Sequence, residues 1–225
     1  MNAATPSSAG DVSHHLADDT LSAYSAGSLN QAMETLIACH LTVCPYCRSR
    51  ANAADGIGGA MLHESEHLSM QSNANQVLTL AMSQPKFGPK MESVEPEPGI
   101  PMPLTRLLGK PLAELDWKRM APGIKQINLS DQPRKHGAFK LLHLDPGVVL
   151  SQHSHTEREL TYVVKGSYQD EIGRFKAGDI ADLDDNNIHQ PVVDTDEPCI
   201  ALIATDSPVR FTGVVPRLLQ PFVGL

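Results

Sequence analysis

The sequence predicts an α+β chain of two domains, a small helical domain followed by an antiparallel β-barrel. Three features predict it. A helix-periodic stretch over 18–47 carries His40, Cys44 and Cys47 at its end. A proline-dense stretch over 84–103 holds Pro85, Pro89, Pro96, Pro98, Pro101 and Pro103 among twenty residues, which removes backbone donors and fixes extended backbone. Finally, 147–166 places His153, His155 and Glu159 between Gly147 and Gly166 at the spacing G-x5-H-x-H-x3-E-x6-G. The boundaries that follow are a disordered tail over 1–12, which is small and polar, a helical domain over 13–84, a Pro-rich linker over 85–110 and a barrel over 111–225.

In the helical part, Asp18 is expected to cap a short helix carrying Leu21 and Tyr24, with Gly27 as its stop. Ser28 and Gln31 have the spacing of a capping box for the next helix, along which Leu29, Met33, Leu36, Ile37, His40 and Leu41 form one buried stripe. Pro45 disfavours helix at Cys44 and suits the first position of a third helix. His40, Cys44 and Cys47 therefore converge at a corner. A last helix is expected through 75–82, with Val77, Leu78, Leu80, Ala81 and Met82.

Cys44-Pro-Tyr-Cys47 admits two chemistries. It is the active-site sequence of glutaredoxins, where a helix N-terminus makes a thiol reactive, but that context needs a preceding β-strand and a βαβ pattern. A capped helix and a histidine precede it here. The same helix terminus stabilises thiolates for zinc, so a closed site of two thiolates and two imidazoles is favoured, with His15 as the fourth ligand just ahead of the first helix. His63-Glu-Ser-Glu-His67 also fits the H-E-x-x-H helix motif of zinc proteases. It follows the glycine-rich 56–60, which is poor helix sequence, and Glu66 stands where those enzymes carry an apolar residue. These are expected to be polar residues on a loop or helix end. Cys39 and Cys199 are expected to be small core residues.

In an extended strand, residues two apart share a face, so His153 and His155 can both point into a barrel. Glu159 adds a carboxylate, and His189, in a second glycine-led segment beginning at Gly178, is expected to close the set. Three imidazoles and a carboxylate suit zinc, iron, manganese or nickel. These residues match the first cupin motif at every fixed position. The second motif is looser, since Asp184 and Asn186 stand where cupins usually carry a proline and a glycine. A cupin dioxygenase or related metalloenzyme is the rival reading to a regulator.

Charge excludes some partners. Of the chain's net −8, residues 1–85 carry −5, from seven acids against Arg48 and Arg50. Direct nucleic-acid binding needs clustered Lys and Arg and is not expected; a basic protein partner is. No apolar run has the length of a membrane span and the N-terminus lacks the parts of a signal peptide, so a cytoplasmic protein is expected, in which cysteines serve as ligands or redox groups rather than disulfides.

The motif His-x3-Cys-x2-Cys, carried by His40, Cys44 and Cys47 after the pair His14-His15, resembles that of the zinc-binding anti-sigma domain. With the cupin motifs and the closing segment from Ala204 through 220–222, the chain from about His14 to Leu225 resembles ChrR-type anti-sigma factors. The resemblance puts the fourth zinc ligand on His15, with His14 as the fallback. It implies a non-enzymatic inhibitor that holds an extracytoplasmic-function-type (ECF) sigma factor away from RNA polymerase. It also implies a cupin domain, binding zinc or another divalent transition metal, that is needed for release during oxidative stress such as singlet oxygen.

Overall fold

A computed structural model describes residues 12–66, 73–84, 94–130, 137–154, 158–184, 187–206 and 210–211. The helical part contains α1 (Asp18–Ser25), α2 (Gln31–Val43), α3 (Pro45–Glu64) and α4 (Ala74–Ser83). α1 starts one residue earlier than Asp18 would cap it: the N-cap is Ala17, without a side-chain cap, and Asp18 is instead the first helical residue, paired with Arg50. The chain leaves α1 through Gly27 at φ 63°, a conformation glycine adopts without a Cβ penalty. α2 is capped by Asn30, whose side chain accepts the Met33 amide at 3.0 Å, rather than by the expected Ser28, whose hydroxyl donates back to the Ala23 carbonyl. Met33, Leu36 and Ile37 are fully buried, and each contributes roughly 1.5–3 kcal/mol by leaving water.

α3 begins with Pro45 at its first position and Cys44 as its cap, as the sequence predicts. It then runs further than expected, through Gly56, Gly58 and Gly59 to Glu64. The H-E pair of the protease-like motif thus ends a helix, exposed to solvent, while His67 lies outside the described residues. The proline-dense stretch also departs from expectation at its end, where α5 (Met102–Leu108) forms within the span assigned to a linker. Its prolines, Pro101 at the cap and Pro103 in the first turn, occupy positions where a missing amide costs nothing. Gly109 closes it at φ 67°, and Leu104 is fully buried.

A 3-10 turn (Leu112–Glu114) leads into the barrel strands β1 (Lys118–Ala121), β2 (Ile124–Asn128), β3 (Phe139–Leu144), β4 (His153–Ser154), β5 (Glu159–Lys165), β6 (Ser167–Gln169), β7 (Arg174–Lys176), β8 (Ile180–Leu183), β9 (Ile188–His189), β10 (Cys199–Thr205) and β11 (Arg210–Phe211). Among the described residues they form a six-stranded sheet in the order β1-β2-β3-β10-β5-β8, a three-stranded sheet β11-β4-β9 and the hairpin β6-β7, with antiparallel pairing throughout.

The central strands β5 and β10 of the large sheet are buried on both faces. Leu160, Tyr162 and Val164 of β5 and Leu202 and Ala204 of β10 pack in one cluster with Leu16, Leu21, Met33, Leu36, Ile37 and Leu104 of the helices. Val163 of β5 and Cys199 of β10 face the opposite way, into the barrel with Leu142, Leu144, Tyr168 and Phe175. Two-sided burial explains why β10 reads as a continuous apolar run, Cys199-Ile-Ala-Leu-Ile-Ala, rather than an alternating one. The helices and the barrel thus share one core.

Candidate metal centres

Local structure brings His15, His40, Cys44 and Cys47 together, each offering a ligand atom within 4.8 Å of the others. His40 sits in the last turn of α2 and Cys47 in the first turn of α3. Cys44 lies between them, with its Sγ 3.4 Å from the Cys47 amide and 3.4 Å from His15 Nδ1. His15 comes from the extended segment before α1; His14, its neighbour, turns away to Asp179 and stacks on Phe175. Cys39 and Cys199 lie in the two cores, where burial pushes both thiols up to about 12.

The chemistry of this set fits a cation. His40 Nδ1 donates to the Gly178 carbonyl at 2.9 Å, which fixes the tautomer with its lone pair on Nε2. That Nε2 is fully buried and has no hydrogen-bond partner, a state costly for a polar atom unless something else engages it. Burial lowers the His40 pKa to about 4, so the ring is neutral, as a ligand must be. Burial raises the Cys47 thiol to about 11; only a nearby positive charge would make the thiolate the stable form there.

In the barrel, His153, Glu159 and His189 are buried, and their ligand atoms also lie within 4.8 Å of one another. His155 and Asn186 lie outside the described residues. β4 pairs with β9 so that His153 stands directly opposite His189. His153 Nδ1 donates to the Ser151 carbonyl at 2.8 Å and His189 Nδ1 to Asp170 Oδ2 at 2.9 Å. Both Nε2 atoms then present lone pairs, 3.0 Å apart, an approach that needs a proton or a metal ion between them. Burial, then the neighbouring His189, lowers the His153 pKa to about 4, while burial raises Glu159 to about 7. Glu159 also accepts the Thr161 hydroxyl at 3.2 Å.

Two carboxylates that sequence spacing did not single out organise these sites. Asp170, fully buried, orients His189 in the manner of a carboxylate behind a metal-bound histidine. Burial raises its pKa, but the bonds from His189 and the Ile172 and Gly173 amides outweigh that and hold it below the usual carboxylate value. Asp179, fully buried, receives the amides of Ser13 and His14. Asp170 reads as an ordinary turn residue and Asp179 as the residue after a motif glycine. Their partners lie 19 and about 165 residues away, beyond any local spacing rule.

The helical cluster and the barrel, joined through a common core, make a two-part molecule with two candidate metal centres rather than a lone barrel. Residues 108–208 match the family model described as the ChrR cupin-like domain. The anti-sigma-E factor ChrR of Cereibacter sphaeroides is 34% identical over 212 residues, covering 94% of this chain and 98% of that one. The crystal structure of Rhodobacter sphaeroides SigE in complex with the anti-sigma ChrR contains a similar chain. It superposes with a TM-score of 0.73 at 31% identity, covering 87% of this chain and 99% of that one. The chain belongs to the ChrR family of anti-sigma factors, which are regulators and not enzymes. Among the described residues no helix is long and apolar enough to cross a membrane.

Proposed function

We propose that this protein is an anti-sigma factor that sequesters an ECF-type sigma factor in the cytoplasm and releases it under oxidative stress, such as singlet oxygen. The observation that carries the proposal is the full-length likeness to ChrR, whose crystal structure is that of a complex with SigE. In this reading residues 13–84 form the sigma-binding unit, 111–225 the sensing unit, and the stretch 85–110 joins them. His15, His40, Cys44 and Cys47 hold zinc, which ties short helices that would be marginal alone and contributes directly to their folding. His153, His155, Glu159 and His189 hold zinc or another divalent transition metal. When bound, that ion offers the barrel a position at which an oxidant or small molecule is detected. The chain's own residues fix the imidazole tautomers, through Ser151 and Asp170, and keep the ligands out of bulk water.

Apolar side chains on the second half of α3 and on α4 (Ile57, Met61, Leu62, Val77, Leu78, Leu80 and Met82) are exposed, the kind of surface that marks a protein contact. The acidity of 1–85 complements a basic partner. The test is co-expression with an ECF-type sigma factor encoded beside this gene, expecting a stable 1:1 complex that blocks transcription in a reconstituted assay. A sigma factor that neither co-purifies nor loses activity would refute the proposal.

A further inference from the structure

Two residues of the barrel that belong to neither ligand set hold the helical one in place. Gly178 and Asp179 lead into β8. The Gly178 carbonyl accepts the Nδ1 hydrogen of His40, 138 residues away in sequence. Asp179 gathers the segment that carries His15: its carboxylate accepts the Ser13 amide at 2.7 Å, the His14 amide at 3.2 Å and the Ser13 hydroxyl at 3.2 Å, and it meets His14 Nδ1 at 3.3 Å. The Lys176 amide closes the turn onto the same carboxylate at 3.0 Å. Gly178 has φ +96°, and a Cβ there would lie 3.3 Å from Val12 Cγ2 and 3.6 Å from Val43 Cγ2. The turn therefore presses against both the His15 segment and the end of α2.

The same turn connects to the barrel's own centre. His14 stacks on Phe175 with ring centroids 4.0 Å apart, and Phe175 stacks on Tyr168 at 5.0 Å. Tyr168 lies two residues before Asp170, which orients His189.

We propose that Gly178 and Asp179 are the outer shell of the His15–His40–Cys44–Cys47 centre, so that the barrel sets how tightly the helical unit holds its ion. The proposal rests on those four residues binding a metal. Asp179 acts as a positioning residue through the backbone that carries His15, and the Gly178 carbonyl fixes which nitrogen of His40 is available. A rearrangement at His189 that moved Asp170 would reach this turn through the stacked rings.

The test uses the full-length chain loaded with Co(II). Thiolate-to-cobalt charge-transfer absorption reports the helical centre alone, because the barrel set contains no cysteine. Its loss to a competing chelator gives affinity and release rate. Asp179→Asn, which keeps the shape and removes the charge, is expected to weaken Co(II) at this centre by roughly ten- to hundredfold and to speed its release. Asp116→Asn serves as the control: Asp116 is exposed and pairs with Lys110, outside the junction between the His15 segment and the turn at Gly178. It is expected to change the affinity by less than about threefold, since it lies outside the shell. Should Asp179→Asn not fold, Ser13→Pro deletes the shortest of these hydrogen bonds from the other side and carries the same expectation. Equal loosening by Asp179→Asn and Asp116→Asn, or an unchanged affinity in Asp179→Asn, would overturn the proposal. A wild-type chain with no thiolate band would instead remove the metal reading on which it stands.

Discussion

His40 and His189 have the same design and opposite assignments. Each imidazole donates through Nδ1 to a fixed acceptor, the Gly178 carbonyl for His40 and the Asp170 carboxylate for His189, and each turns Nε2 into a ligand cluster. His40 is a member of the helical set, so His40→Ala, like Cys44→Ala, should abolish sigma binding and lower bound zinc by one ion per chain. His189→Ala should leave binding intact and block release, because its loss strikes the barrel set while the helical ligands keep their shell. Co-purification, metal analysis and a sigma-dependent reporter check both, and a His189→Ala protein that no longer binds sigma would contradict the division of labour. The candidate clusters His15, His40, Cys44, Cys47 and His153, Glu159, His189 are legible in the sequence because metal chemistry restricts spacing: His-x3-Cys-x2-Cys and the glycine-framed His-x-His-x3-Glu are local patterns. Asp170 and Asp179 are not, because a hydrogen bond between residues far apart in the chain leaves no mark on the spacing around either one.

At the scale of elements, α4 has no buried residue although Val77, Leu78, Leu80 and Met82 line it. Its capping box, formed by Asn73 and Gln76, defines where the helix begins by a local interaction. An exposed apolar helix of this kind gains by docking on a partner. Leu78→Asp with Leu80→Asp should leave the far-UV spectrum and melting temperature of the free protein nearly unchanged and weaken sigma binding by at least about tenfold, or 1.4 kcal/mol. Calorimetric titration measures it; unaltered affinity would move the docking face elsewhere. The elements show where local signals compete. Asn30 rather than Ser28 caps α2 because both can serve and Asn30 is two residues closer to the helix, directly before Gln31. Gly56, Gly58 and Gly59 lower helix propensity by about 1 kcal/mol each, yet α3 passes through them, continuing the ladder that starts at the well-formed Cys44-Pro45 terminus. The prolines of 101–103 suggested linker but sit where a helix tolerates them.

The molecule as a whole is more unified than a two-domain sequence implies. Proline density at 84–103 suggested two bodies joined by a spacer, whereas Leu36, Ile37 and Leu104 pack into the same cluster as Tyr162 and Leu202. Polar groups tie the junction further, with the buried Asp179 at its centre and Arg158 bridging the exposed Asp19 to Asp182. Removing the Asp179 carboxylate would strand the Ser13, His14 and Lys176 amides, each unsatisfied buried donor costing about 1–3 kcal/mol. The free protein should therefore unfold in one calorimetric transition, with helices and barrel melting together, and chelation of metal should lower that single midpoint. Two resolved transitions would show that the shared core is too weak to couple them. In the sequence that core shows only at β10, where the apolar run Cys199-Ile-Ala-Leu-Ile-Ala demands cover on both faces. Which layer supplies the second cover depends on tertiary packing.

The pinched turn at Gly178 has a consequence for anyone who would transplant these parts. Its carbonyl serves the helices while its left-handed backbone serves the barrel, so one residue answers to both. A chimera that grafts this helical segment onto a foreign barrel must bring the Gly178-Asp179 corner along, or the graft arrives with its histidines unmoored.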